Sequence, residues 1–309
     1  MSTTRAGGAW GAIIISFIVS SVLFGIFLAQ VFVYCRNFKR DHLRVKVFVG
    51  ILVALDAANS IISAAWMYHL FVDNRGEIAV FESAGWPAGS IDILVGLTQC
   101  TVQLFFASRL HIVACTVYPE LKQKLLPVVS APLRDYIISK HCWVTVFICI
   151  AAFGTLCGSI GTGLATLWVK EYSRFPSFKP IATTWGVSTM AADITITVAM
   201  TYHLHRAKGT FKRTDQLLEC IIQLTLQNGA LTTLTTLISL CLYTYDSKPY
   251  FISGSLLLPK IYSNSALSSL NARKNLRRLV RNSGEVSLAV LSDFPSDEPL
   301  PPLLQNVSE

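Results

Sequence analysis

The sequence predicts an all-α polytopic membrane protein: a seven-transmembrane helix bundle with its N-terminus outside and its C-terminus in the cytosol. Three observations predict it. Of 309 residues, 52% are hydrophobic and only 14% charged, with a mean hydropathy of +0.50. A soluble domain carries about 25% charge because its surface must face water, and this chain falls far short of that. Seven apolar stretches reach the ~20 residues needed to cross a bilayer. Basic residues collect in alternate connections between those stretches. The chain is also too apolar to be disordered, and 18 Gly and 12 Pro are too few for a fibrous protein.

The first stretch, about 10–35, holds an apolar run from Ile13 to Tyr34. That is longer than a signal-peptide core of ~7–15 residues. Cys35-Arg36 stands where a cleavage site would have to be, so the stretch is read as a retained helix. The second, 45–71, carries Asp56, Asn59, Ser60 and Ser63 at helical spacing. The third, 88–115, carries Asp92, Gln99 and Gln103, with Arg109 near its end. The fourth, 141–167, presents Gly154, Gly158 and Gly161 with Ala151 as a small-residue face containing G-x-x-x-G. Such a face admits a close helix neighbour, either within the bundle or on a second protomer. The fifth, 182–205, carries Asp193, Thr197 and Thr201. The sixth, 218–243, spaces Glu219, Gln223 and Gln227 four apart. The seventh, 250–270, carries Ser253, Lys260, Asn264 and Ser268, with Asn271 just beyond. Pro259 removes the hydrogen bond to the Ser255 carbonyl and bends that helix.

Orientation follows from the basic residues. Arg36, Lys39, Arg40, Arg44 and Lys46 share one side with Lys122, Lys124, Arg134 and Lys140, with the 206–213 cluster and with Arg273–Arg281. That side holds 18 basic residues against six on the other, which sets the basic loops in the cytosol. Domain organisation follows: a short outside N-terminus at 1–9, a transmembrane domain at 10–275, a basic interfacial segment at 271–281 and a disordered cytosolic tail at 282–309. The tail's sequon, Asn306-Val307-Ser308, is then unmodified.

Eight cysteines form no C-x-x-C pair and no zinc spacing, and are read as small packing residues within helices. The net charge of +8 is explained by topology, so no nucleic-acid partner is implied. Ionisable groups in lipid cost ~2.5–3.5 kcal/mol each at the helix centre and turn toward the bundle interior. The candidate buried polar or ligand site therefore comprises Asp56, Gln99, Gln103, Asp193, Gln223, Gln227, Lys260 and Asn264. Gly154, Gly158 and Gly161 are the candidate helix-packing residues. Lys260 is expected to face inward and pair with Asp193 or Asp56, with Asn264 one turn away. No catalytic motif, metal cluster or cofactor fingerprint is present in the sequence, so the expectation is a non-enzyme without cofactor. The expected partners are the lipid bilayer, a small-molecule ligand in a midplane cavity, and a cytosolic partner at the basic loops.

Several strings carry a family resemblance. Ala192-Asp193-Ile194 through Met200-Thr201-Tyr202-His203-Leu204 precedes Gly209-Thr210-Phe211-Lys212-Arg213-Thr214-Asp215. Asn228-Gly229-Ala230-Leu231-Thr232 and Leu258-Pro259-Lys260-Ile261-Tyr262-Ser263-Asn264-Ser265 follow, then Leu270-Asn271-Ala272-Arg273. In that order they resemble a family of seven-helix membrane proteins, expanded in mushroom-forming fungi and known as domain of unknown function 6534. The usual Thr-Gly pair of the sixth helix reads Asn228-Gly229 here. The resemblance implies a fold and a membrane location, plasma membrane or endomembrane, and no biochemical activity. The functional expectation is a receptor- or sensor-like bundle, with a proton, ion or small-solute transporter as the alternative. A retinal protein fits the seventh-helix lysine but lacks the carboxylate and aromatic pattern of microbial rhodopsins.

Overall fold

The computed structural model describes the backbone of residues 3–74, 83–125, 131–169, 179–206, 212–245 and 251–281. Side chains are described for 10–74, 83–112, 143–169, 179–203, 205, 223, 225–244 and 251–272. The described residues form seven α-helices: α1 Thr3–Asn37, α2 Leu43–Tyr68, α3 Trp86–Leu125, α4 Ala131–Val169, α5 Lys179–Arg206, α6 Lys212–Tyr245 and α7 Phe251–Arg281. α2 ends in one π-helical turn, His69–Asp73.

Most of these helices overrun the apolar stretches. α3 reaches Leu125 and α4 starts at Ala131, so most of the loop expected at 116–140 is helix. α7 likewise runs unbroken to Arg281, so the basic segment 271–281 continues that helix. The Glu219 side chain, the side chains beyond 272 and the tail at 282–309 lie outside the described residues.

Sequence neighbours pack as antiparallel pairs, and small residues set the closest approaches. Gly89 and Gly163 bring α3 and α4 together, as do Gly96 and Ser159 further along. Gly154, Gly158 and Gly161 face Ser188, Trp185 and Ile181 of α5, which places the glycine face of α4 inside the bundle. Gly186 meets Leu240 and Gly229 meets Thr197 between α5 and α6, and Gly254 meets Ser239 between α6 and α7.

The helices close into a ring when α7 returns to α1, with α3 central against α2, α4, α5 and α7. Seven alternating helices cannot close without one parallel pair, and α1 with α7 is that pair. Ser20 Oγ donates to Leu256 O at 2.9 Å, Asn264 Nδ2 to Leu23 O at 3.0 Å, and Asn271 Nδ2 to Gln30 O at 3.0 Å. These bonds advance together along both chains, which fixes the parallel direction.

The distribution of polarity is the reverse of a soluble protein. Asp56, Asn59, Gln99, Gln103, Thr155, Ser159 and Lys260 are buried, while Ile15, Phe32, Ile61, Ile150, Phe153 and Trp168 are exposed, Trp168 at 92%. An apolar surface of this extent is stable only against lipid or another protein. Among the described residues, four helices are long and apolar enough to cross a membrane: Trp10–Asn37, Leu43–Asp73, Trp86–Ile112 and Trp143–Val169. α5, α6 and α7 miss that mark because Thr, Ser, Asn, Lys and Pro interrupt their apolar runs. The chain has the make-up of a membrane protein.

Four cysteines correct the packing expectation. Cys35, Cys149, Cys157 and Cys241 are exposed on the apolar surface, and of the described cysteines Cys100 is buried.

Candidate functional site

Lys260 and Asp56 form the first polar centre. Both are 0% exposed. Lys260 Nζ stands 3.2 Å from Asp56 Oδ1 and donates to the Asp56 carbonyl at 2.7 Å, with the Phe24 ring centroid at 4.9 Å. Opposite charge, a backbone acceptor and a ring face together hold an ammonium far from water. The Ser263 hydroxyl faces the same carboxylate. Asn264 is one turn along, and its Nδ2 donates to Lys260 O at 2.7 Å as well as to α1. Asn59 and Ser63, above Asp56 on α2, are buried, and their side-chain polar atoms meet no hydrogen-bond partner among the described residues.

Asp193 belongs to a second centre. Tyr262 Oη donates to Asp193 Oδ2, and Gln103 Nε2 donates to Asp193 Oδ1 at 3.1 Å. Gln99 Oε1 accepts from Trp185 Nε1 at 2.9 Å, which fixes the indole between α3 and α5. Helix geometry explains why Lys260 takes Asp56 and not Asp193. Residues two apart on a helix are rotated by about 200°, so Lys260 and Tyr262 leave α7 on opposite sides. Tyr262 turns toward α5, and Lys260 therefore turns toward α1 and α2.

α7 carries two polar stripes. Ser255, Tyr262 and Ser269 recur every seven residues on one face, where they meet Asp92, Asp193 and Arg109: Ser255 Oγ donates to Asp92 Oδ1 at 3.1 Å, and Arg109 Nη1 donates to Ser269 Oγ at 2.6 Å. Lys260, Asn264 and Asn271 form the other, toward α1 and α2. Pro259 lies within this helix between the two stripes' upper members.

Gln223 and Gln227 do not join either centre. Both are exposed on the outer face of α6, beside exposed Leu226, Leu231 and Leu234. Spacing by four placed them on one face but could not say which way it turns. The inward face of α6 is drawn by Asn228, Gly229, Thr232 and Thr236, where glycine admits α5 and the threonines point at the core. Asp92, Trp185, Ser255 and Tyr262 were missing from the expected site. Asp92 was visible as a third-stretch carboxylate seven residues before Gln99, on the same helix face. Tyr262 and Trp185 read as apolar until their polar atoms are placed. His69, at the end of α2, has Asp73 Oδ2 at 3.6 Å and Asn74 beside it.

Two pockets flank the second centre. One, at the end where α3, α5 and α7 begin, has a cavity volume of about 70 Å³, with Asp92, Gln99, Trp185, Tyr243, Phe251 and Ser255 in its wall. The other, with a cavity volume of about 30 Å³, lies beyond Gln103, Asp193 and Tyr262, among Phe106, Thr197 and Asn228. The Gln103–Asp193–Tyr262 layer stands between them.

No curated protein and no solved structure matches the chain. Residues 189–275, from mid-α5 through most of α7, match the model of a family of unknown function, DUF6534. Asp193, Lys260, Tyr262 and Asn264 lie within that segment, and Asp56, Asp92, Gln99 and Gln103 precede it.

Proposed function

We propose that the chain is a multi-pass membrane sensor of receptor type, with all seven helices crossing the bilayer. The N-terminus is outside and the basic connections contact a cytosolic partner. This is the layout expected of the fungal family it resembles. The observation that carries the sensing role is the stacking of two pockets along α3, α5, α6 and α7 with a hydrogen-bonded layer between them. The outer pocket takes the ligand. The layer of Gln103, Asp193 and Tyr262 joins three helices and passes a change in ligand contacts to the inner half. No catalytic step is involved. The topology resembles G-protein-coupled receptors at the level of helix number and direction, which is analogy alone.

A second reading has its own support. Two pockets on either side of a closed layer also suit a transporter in an occluded state. Two experiments divide these readings. A sequon on an N-terminal extension is glycosylated in cells and one in 208–214 is not; the reverse pattern overturns the orientation. Liposomes containing the purified protein then pass no protons or small solutes beyond empty controls. Saturable flux would replace the sensor with the transporter.

A further inference from the structure

We propose that the outer pocket binds a small organic cation, an ammonium carried on an aromatic or apolar frame, with Asp92 as its counter-ion. The inference rests on the reading of this pocket as the ligand-binding end of the bundle.

Within the helices of the described bundle three carboxylates are buried, and their surroundings differ. Asp56 has Lys260 against it, and Asp193 accepts from Tyr262 and Gln103. Asp92 is 7% exposed and accepts from one neutral hydroxyl, Ser255 Oγ at 3.1 Å. Among the described residues no cation lies within ion-pair distance of it. It is also the carboxylate that walls the outer pocket. A buried carboxylate that accepts from one neutral hydroxyl leaves acceptor capacity on its second oxygen, and Asp92 brings that capacity to the pocket wall.

The rest of the wall fits the remainder of such a ligand. Trp185, Tyr243 and Phe251 supply ring faces, and Leu240 and Leu258 supply apolar surface. The rings are held in place. Trp185 Nε1 is bonded to Gln99, and Tyr243 packs edge-on against Phe251 at 5.1 Å and 87°. Fixed ring faces around a carboxylate attract an ammonium through charge and quadrupole together. Asp92 lies six residues into α3, about 9 Å along the axis, so a ligand reaches it from the outer end without crossing the bundle. An anionic ligand would be repelled by Asp92, and a neutral one would leave the carboxylate without a cation.

The test uses the full chain in nanodiscs with 2-phenylethylamine and tryptamine as probes. The matched neutral alcohols, 2-phenylethanol and tryptophol, serve as isosteres. Thermal unfolding and calorimetric titration are the readouts. The expected result is a saturable rise in Tm with at least one amine and none with its alcohol at equal concentration. In Asp92→Asn the amine binds roughly tenfold to hundredfold more weakly, the loss of a charge-assisted bond. If that variant does not fold, the amine–alcohol comparison on the unaltered chain decides. No amine effect, equal effects of amine and alcohol, or undiminished binding in Asp92→Asn overturns the proposal. Charge-selective binding with no movement at the inner end upholds this site and removes the sensor role.

Discussion

Replacing Lys260 with Met, Asp56 with Asn, and both together probes the centre on which α1, α2 and α7 converge. Each side chain is 0% exposed, so neither charge can be rescued by solvent. Removing one partner of a buried pair costs about 3–5 kcal/mol, because the other charge is left alone. The two single variants are not equivalent. Lys260→Met removes the cation that neutralises the Asp56 carboxylate. Asp56→Asn leaves Lys260 with the residue-56 carbonyl at 2.7 Å and the Phe24 ring at 4.9 Å. Lys260→Met therefore falls at the upper end of the range and Asp56→Asn at the lower end. The double variant buries no charge and is more stable than either single, so the coupling exceeds the larger single loss, about 5 kcal/mol. Unfolding free energies from detergent titration in mixed micelles give the cycle. The same cycle with Asp193→Asn in place of Asp56→Asn is additive within about 0.5 kcal/mol, since Asp193 is engaged on the other side of α7. Additivity in the Asp56 cycle, or coupling in the Asp193 cycle instead, refutes the argument.

Two further expectations come from packing. Gly158→Ala places a methyl 2.7 Å from Trp185 Cβ and 2.9 Å from its Cα, where backbone must move, and destabilises by about 1–3 kcal/mol. Gly50→Ala meets nothing within 4 Å and raises stability by about 0.5–1 kcal/mol through helix propensity, so thermal melts of the two variants move in opposite directions. Gln223→Leu and Gln227→Leu alter the exposed face of α6 and change detergent stability by less than about 0.5 kcal/mol. A larger loss at either glutamine in the monomer would show that it makes a contact inside the bundle.

An all-helical chain with the make-up of a membrane protein was legible because composition and apolar length are one-dimensional quantities. Helix ends were less so: α3 and α4 continue through polar sequence to Leu125 and from Ala131, where hydropathy has already fallen. The buried pair was half legible. Mid-stretch position brought Asp56, Asp193 and Lys260 to similar depth, but depth alone could not choose between two carboxylates. The rotation between Lys260 and Tyr262 makes that choice, and it could be used only once Tyr262 was known to hold Asp193. The glutamines of α6 failed for the same reason in reverse. A polar stripe on a helix marks a face, and its direction is set by which neighbours the opposite face can pack. Asn228, Gly229 and Thr232 on α6 are small or β-branched and admit α5 and α7, so the larger Gln223 and Gln227 turn outward.

α7 is the element that contributes residues to both polar centres. Lys260, Asn264 and Asn271 tie it to α1 and α2, while Ser255, Tyr262 and Ser269 tie it to α3 and α5. Ser255 touches Asp92 at the outer pocket, and Tyr262 lies two turns further in on the same face. Under the proposed sensor reading, a cation that draws on Asp92 competes with Ser255 for the carboxylate and shifts the balance of contacts on that face of α7. A shift reaches the inner half through the Tyr262–Asp193 bond. Tyr262→Phe keeps the ring and removes that bond, at a stability cost of about 1–3 kcal/mol for the acceptor left behind. Amine affinity at Asp92, measured by calorimetry, then stays within about threefold of the unaltered chain, because Tyr262 is not part of the outer wall. The amine-induced change in distance between spin labels near the inner ends of α3 and α7 disappears. If that change persists in Tyr262→Phe, the coupling runs through another contact, and the layer between the pockets is structural only.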